Sequence, residues 1–215
     1  MSKTVIVPND FSRSLGLMLL NEIRQETCEN VDFSAIKKLK LLVSFSKLEQ
    51  IYTLIVKELS AQNRRAMIQT HHEIRFRRFM ARATNTRLYT SVWIGKSNFD
   101  FFLPYIAGEM NGDRRMRGLV IEIDGGIHNF EPKMKKDTLK AEMLLSLGIG
   151  TLSLDNNSIY TLNVRRLLRT IKNAPKIDFR ASKRLWTNIY AYTILTNKDI
   201  LMKNSNLIEN LYETR

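Results

Sequence analysis

Glu122 and Asp124 stand two residues apart in the run GLVIEIDGG, residues 118–126. Set among Leu119, Val120, Ile121 and Ile123, they read as part of a β-strand, and alternation then puts both carboxylates on one face. At a separation of about 5 Å they repel by roughly 1 to 3 kcal/mol. A divalent cation between them reverses that sign, and Mg²⁺ favours such hard oxygen ligands, with waters and substrate phosphates completing its octahedron. Gly125 and Gly126 follow at once and let a backbone or a phosphate approach closely. The plainer alternative is a solvated strand face. A third acid, Asp100, stands in NFDFFLP between Phe99 and Phe101. If its strand neighbours that of Glu122, the two acids converge on one ion; otherwise Asp100 is an edge-strand acid facing water.

Elements able to position these acids can be read around them. From about Asp10 to Met80 apolar residues recur at helical spacing, and Leu48, Ile51, Tyr52, Ile55 and Leu59 make one core-facing stripe. After Met80, the runs RLYTSVWIG, SNFDFFLP and GLVIEID predict three strands, the first two joined by a hairpin at Gly95-Lys96-Ser97-Asn98. Pro132 opens a helix reaching about Leu147, with Gly148 in the capping place. A fourth strand, Gly150–Leu154, then returns parallel to the third. Ser158 is placed to cap a further helix to Ile171, and a helical tail runs from about Ala181 to Tyr212. The expected division is a helical region at 1–80, a β-β-β-α-β-α core at 81–175 and a helical extension at 176–215.

The chain's 34 Lys and Arg against 21 Asp and Glu leave a formal charge of +13, which favours a polyanionic partner over a membrane surface. Arg64, Arg65, Arg75, Arg77, Arg78, Arg82 and Arg87 crowd a stretch whose acid is Glu73. Lys133, Lys135, Lys136 and Lys140 follow the acids, and Arg165, Arg166, Arg169 and Lys172 come later. Each cluster alone reads as a solvated helix face; together they can flank a duplex and give salt-dependent binding. The single cysteine, Cys28, builds neither a disulfide nor a cysteine zinc site within one chain. His71-His72 are weak metal candidates, and Trp93 and Trp186 read as core anchors. No signal-peptide core or membrane-length apolar run is seen, so a cytoplasmic protein is expected.

The acids carry a resemblance. Asp100 in FDF, then Glu122-Ile-Asp124-Gly125-Gly126-Ile-His128, then Asp137 and Lys140 on a helix, then LGIGTLSLDNNSIY, resembles the PD-(D/E)XK nucleases, most closely their very-short-patch-repair-like branch. It covers about residues 75 to 172. It implies an α/β restriction-endonuclease-like fold, a mixed sheet flanked by helices. It also implies Mg²⁺-dependent phosphodiester hydrolysis, with Mn²⁺ as a substitute and Asp100 and Glu122 as metal ligands. The family carries lysine where this chain has Asp124, which makes Asp124 a ligand or a water-orienting group. The lysine role then falls to Lys96, Lys133 or Lys136, or is absent.

His128 can act as general base or touch a phosphate, or be a structural histidine. Asp137 can orient His128 or a lysine, or be a first-turn charge. The expected partner is double-stranded DNA, with RNA an alternative, bound by Arg75, Arg77, Arg78, Lys133, Lys136 and Lys140. A homodimer or larger nucleoprotein complex fits. The rival reading is a nuclease-fold protein without turnover, serving in nucleic-acid binding or assembly.

Overall fold

The computed structural model describes residues 33–64, 68–83, 87–104, 117–124, 131–161, 165 and 179–203. Cys28 and the start of the expected lead-in lie outside them. Helix α1 (Phe33–Leu42) buries Ala35, Ile36 and Leu39. Helix α2 (Phe45–Gln62) starts at Ser44, whose hydroxyl accepts from Lys47 N, and it buries Leu48, Ile51, Ile55 and Leu59. Those four belong to the stripe marked by the i, i+3, i+4 spacing, and its fifth member, Tyr52, is partly buried against the same core. Helix α3 (His71–Ala83) begins at Thr70, whose hydroxyl accepts from Glu73 N at 3.3 Å and donates to the Glu73 carboxylate at 2.8 Å. It buries Phe76 and Met80 while Arg75, Arg77, Arg78 and Arg82 stay exposed.

Strands β1 (Tyr89–Ile94), β2 (Ser97–Leu103), β3 (Gly118–Asp124) and β4 (Ile149–Asp155) form one four-stranded sheet in that order. The hairpin turns on Gly95-Lys96, because Ile94 pairs with Ser97 and Gly95 has φ +63°, a conformation that favours glycine. β2 runs antiparallel to β3, with Phe101 opposite Ile121. Helix α4 (Glu131–Ser146) then crosses over and returns β4 parallel to β3, from Gly118 opposite Ile149 to Asp124 opposite Asp155. Gly148, at φ +81°, ends the crossover helix as its place in the sequence suggests. The expected helix from Ser158 is a 3-10 turn over Ser158–Tyr160 in the described part; most of residues 162–178 lie outside it.

Helices cover both faces of the sheet. On one face Phe99, Phe102, Val120 and Ile149 share a core with α1, α2, α4, helix α5 (Phe179–Thr196) and helix α6 (Lys198–Lys203). On the other, Phe101, Leu103, Leu119, Ile121 and Leu154 pack with Phe76, Met80 and Ile159. The molecule is mixed α/β, a mixed sheet between helical layers. Trp93 is buried, and Trp186 sits among Tyr89, Phe102 and Tyr190. Among the described residues no helix is long and apolar enough to cross a membrane.

The strands and the helical ends are joined by polar bonds as well as by the shared core. Gly95 N donates to the Thr193 hydroxyl at 3.0 Å, and the Asn197 amide donates to Gly95 O at 2.9 Å and to Thr193 O at 2.8 Å. Asn197 and Thr193 are buried, so these bonds fasten the hairpin tip to the end of α5 where water cannot substitute. Lys40 of α1 likewise donates to Asn188 of α5 at 2.7 Å. Asn197→Ala should cost about 1 to 3 kcal/mol, because it leaves the Gly95 carbonyl without its donor. Urea unfolding measures this, and an unchanged midpoint would show that the clamp contributes nothing.

Candidate active site

β2 does not keep its alternation through Asp100. In a regular strand residues 99, 101 and 103 share a face. Here Phe101 and Leu103 enter the core beneath α3, whereas Phe99 joins Phe102 in the core on the opposite face. The same slip occurs on β1 at the facing rung: Thr90 pairs with Phe101 and Val92 with Phe99, and Ser91 between them has φ +55°. A non-glycine residue in that conformation costs about 1 to 2 kcal/mol. The Asn98 amide donates to the Ser91 hydroxyl at 3.0 Å, which holds the kink in place. Register is conserved on either side, so both strands change phase together and no pairing is lost beyond that rung.

The slip decides where the Asp100 carboxylate goes. It lies between the two faces and reaches toward β3, where Oδ2 accepts the Ile123 N–H at 2.9 Å. The pairing of β2 with β3 stops at Phe101 and Ile121, and one further rung sets Asp100 opposite Glu122. A side-chain oxygen thus takes a backbone donor at the point where the ladder ends. Glu122 lies beside Ser153 of β4, on the face that buries Val120, and is half-buried. The two acids thus stand on neighbouring strands, at positions that face each other one rung past the last pair, with the Asp100 carboxylate turned out of the pleat to the Ile123 N–H.

Asp124 ends β3 opposite Asp155. The Asp124 side chain, His128, and the side chains of Lys133, Lys135, Lys136 and Asp137 lie outside the described residues. Among the described residues no three of His, Cys, Asp and Glu gather as a metal-holding group. Asp100 and Glu122 supply a donor set of one carboxylate from each of two adjacent strands, which suits an ion that keeps several waters. Asp155 is a further acid at the same sheet end, opposite Asp124, and its spacing from Ser158 is a capping signal. Ser158 N donates to one of its oxygens and Ser158 Oγ to the other, each at 2.7 Å. Those bonds hold its carboxyl below the usual carboxylate range. Their stabilisation is complete above that range and is lost as the pH falls through the depressed value. Asp155 is committed to the turn.

Basic groups surround this end of the sheet from both sides. β1 and β4 run in the same direction as β3, so the Gly95-Lys96 turn, Asp155 and the start of α4 all lie at the carboxyl end of β3. On the α4 face, Lys140 Nζ sits 5.8 Å from the centre of the Phe99 ring, next in sequence to Asp100. A groove of about 340 Å³ lies beside it, between the hairpin turn, α4 and α5, with Lys96, Ser97, Lys140 and Tyr192 on its walls. On the α3 face, Phe76 packs on Phe101 at 5.0 Å, and the first turns of α3 reach Tyr160, just past β4. His71 and His72 lie there edge to face at 5.8 Å, and among the described residues no third metal-binding group joins them.

The Ile123 N–H gives the Asp100 geometry a direct test. Asp100→Asn keeps an oxygen acceptor and should hold the unfolding free energy within about 1 kcal/mol of the parent, whereas Asp100→Leu strands a backbone donor and should cost about 1 to 3 kcal/mol. Equal urea midpoints for the parent and the leucine variant would rule the contact out as a stabilising one. No family model, curated protein or solved structure matches the chain.

Proposed function

We propose that the chain is a metal-dependent DNA endonuclease of the restriction-endonuclease-like class. The observation that carries this reading is the turned Asp100 carboxylate, which meets the rung of Glu122 at an end of the sheet bordered by cations on both faces. A strained slip on two strands that turns a carboxylate out of the pleat persists only where something over-determines it. In this reading that something is a site that uses the turned carboxylate as a hard oxygen ligand.

In this reading Asp100 and Glu122 hold Mg²⁺ or Mn²⁺, with Asp124 as the third ligand. The bound ion supplies an activated water and a polarised phosphate. The Ile123 N–H fixes one Asp100 oxygen and so limits the directions from which the carboxylate can serve. Both acids act as ligands in their ionised form, so activity falls with acidification. His128 takes the proton of the attacking water or contacts the phosphate. Arg75, Arg77 and Arg78 from one face, and Lys133, Lys136 and Lys140 from the other, hold the backbone of double-stranded DNA. Lys140, beside Phe99, joins Lys96, Lys133 and Lys136 as a source of the positive charge that the family places where Asp124 stands.

Purified protein with Mg²⁺ or Mn²⁺ should cut DNA. Glu122→Gln should lower the cutting rate at least about a hundredfold, while its affinity for uncut DNA in EDTA stays within about twofold, since a neutral isostere removes no phosphate contact. Equal cutting by the variant contradicts the assignment. Tight DNA binding with no cutting by the parent in either metal assigns the chain to binding alone.

A further inference from the structure

Of the exposed arginines on α3, Arg75 is distinguished by its position. Its guanidinium carbon lies 4.0 Å from the centre of the Tyr160 ring, and His72 meets the same ring edge to face at 6.4 Å. Tyr160 follows Ile159, which is anchored in the core with Phe76 and Met80. The ring is therefore fixed by its neighbour while remaining about half exposed. Stacking of this kind restricts a long side chain without using its N–H donors. Nearby carboxylates are otherwise engaged: Glu73 accepts from Thr70, and Asp155 accepts from Ser158. Among the described residues Arg75 has no ion-pair partner.

We propose that Arg75, held against Tyr160, is a pre-positioned binding fork for one backbone phosphate of the DNA, on the sheet face opposite the one that carries Glu122. This rests on the nuclease reading for its ligand. A planar guanidinium presents paired N–H groups that match two phosphate oxygens, and prior restriction by the ring lowers the entropy lost on binding. Lys140, over Phe99 on the other face, would grip a second phosphate, so that the backbone straddles the acid-bearing end of the sheet. The arrangement also singles out Tyr160, a residue with no charge, as part of the DNA-binding surface. A built-in control exists: Arg87 is stacked in the same way, 4.7 Å over Tyr89, but at the opposite end of the sheet.

The test is fluorescence anisotropy of a labelled duplex with the full chain in EDTA, over a series of salt concentrations. Arg75→Ala should weaken binding roughly five- to tenfold near 0.1 M salt and make the salt slope shallower by about one. Tyr160→Leu should weaken binding roughly two- to fivefold with the slope retained, because the charge stays but its position is lost. Tyr160→Phe, which keeps the aromatic face, should lose less than Tyr160→Leu, and Arg87→Ala, which removes the same charge at the other end of the sheet, should lose less than Arg75→Ala. Arg75→Lys, which keeps the charge and loses the fork, should fall between the parent and Arg75→Ala, and thermal melts of each variant verify that it is folded. If the parent binds DNA and neither Arg75→Ala nor Tyr160→Leu differs from it by more than about twofold, the stacked pair is only a fold contact and the inference is overturned. A parent that binds no duplex at any salt overturns the nuclease reading as well.

Discussion

One hydrogen bond, from Ile123 N–H to the Asp100 carboxylate, governs the geometry of the acid-bearing end of the sheet. It forms where the pairing of β2 and β3 stops, so the carboxylate takes over from the backbone as the acceptor. That substitution needs Asp100 to leave the pleat. The pleat can yield there because β1 yields at the same rung, through Ser91 in the left-handed region. A slip on one strand alone would shift every later side chain to the wrong face. A matched slip on both lets Phe99 and Phe102 fill one core and Phe101 and Leu103 the other.

The helical ends make such a local strain tolerable. α1, α2 and α5 share a core with Val92, Ile94, Phe99 and Phe102, so the strained hairpin is held along its whole length. The tip is fastened separately, by Asn197 and Thr193 around Gly95. Gly95 itself admits no substitute without movement, since an added Cβ would lie 2.6 Å from the Tyr192 ring. The segments flanking the strands in sequence are thus part of what holds Asp100 in place. Backbone strain of 1 to 2 kcal/mol or so persists only where the surroundings over-determine it, and here they do so from one face and from the tip.

Much of this frame was legible in the residues. The stripe Leu48, Ile51, Ile55, Leu59 has one helical reading, Gly95 and Gly148 punctuate as left-handed glycines do, and a helix between two apolar runs implies a parallel return. Glu122 and Asp124 announced themselves as charges in an otherwise apolar strand. The phase slip was not legible, because in FDFFL every residue beside Asp100 is apolar and suits either core, which erases the period-two signal. Nor does a serine at position 91 advertise a positive φ, as a glycine would. The contact of Arg75 with Tyr160 joins residues far apart in the chain, and no local pattern foretells it.

The charge distribution ties these features together. In a chain of net charge +13, the carboxylates that the proposed function assigns to one end of the sheet would form a local negative region inside a positive field. In that function a polyanion would be drawn to the basic faces and repelled by that spot. A polyanion seated on the cations of both faces would have its backbone held next to carboxylates that oppose it, and a divalent cation resolves the conflict by binding both sides. In the proposed function the surrounding basic residues and the acids therefore serve opposite ends of one balance. The basic faces supply affinity with little regard to metal, and the acids make close approach of the phosphate conditional on the ion. Asp155, although placed at the same end, stands outside this balance, because both its oxygens are taken by Ser158. In the proposed function the ion therefore falls to Asp100, Glu122 and Asp124 and not to Asp155.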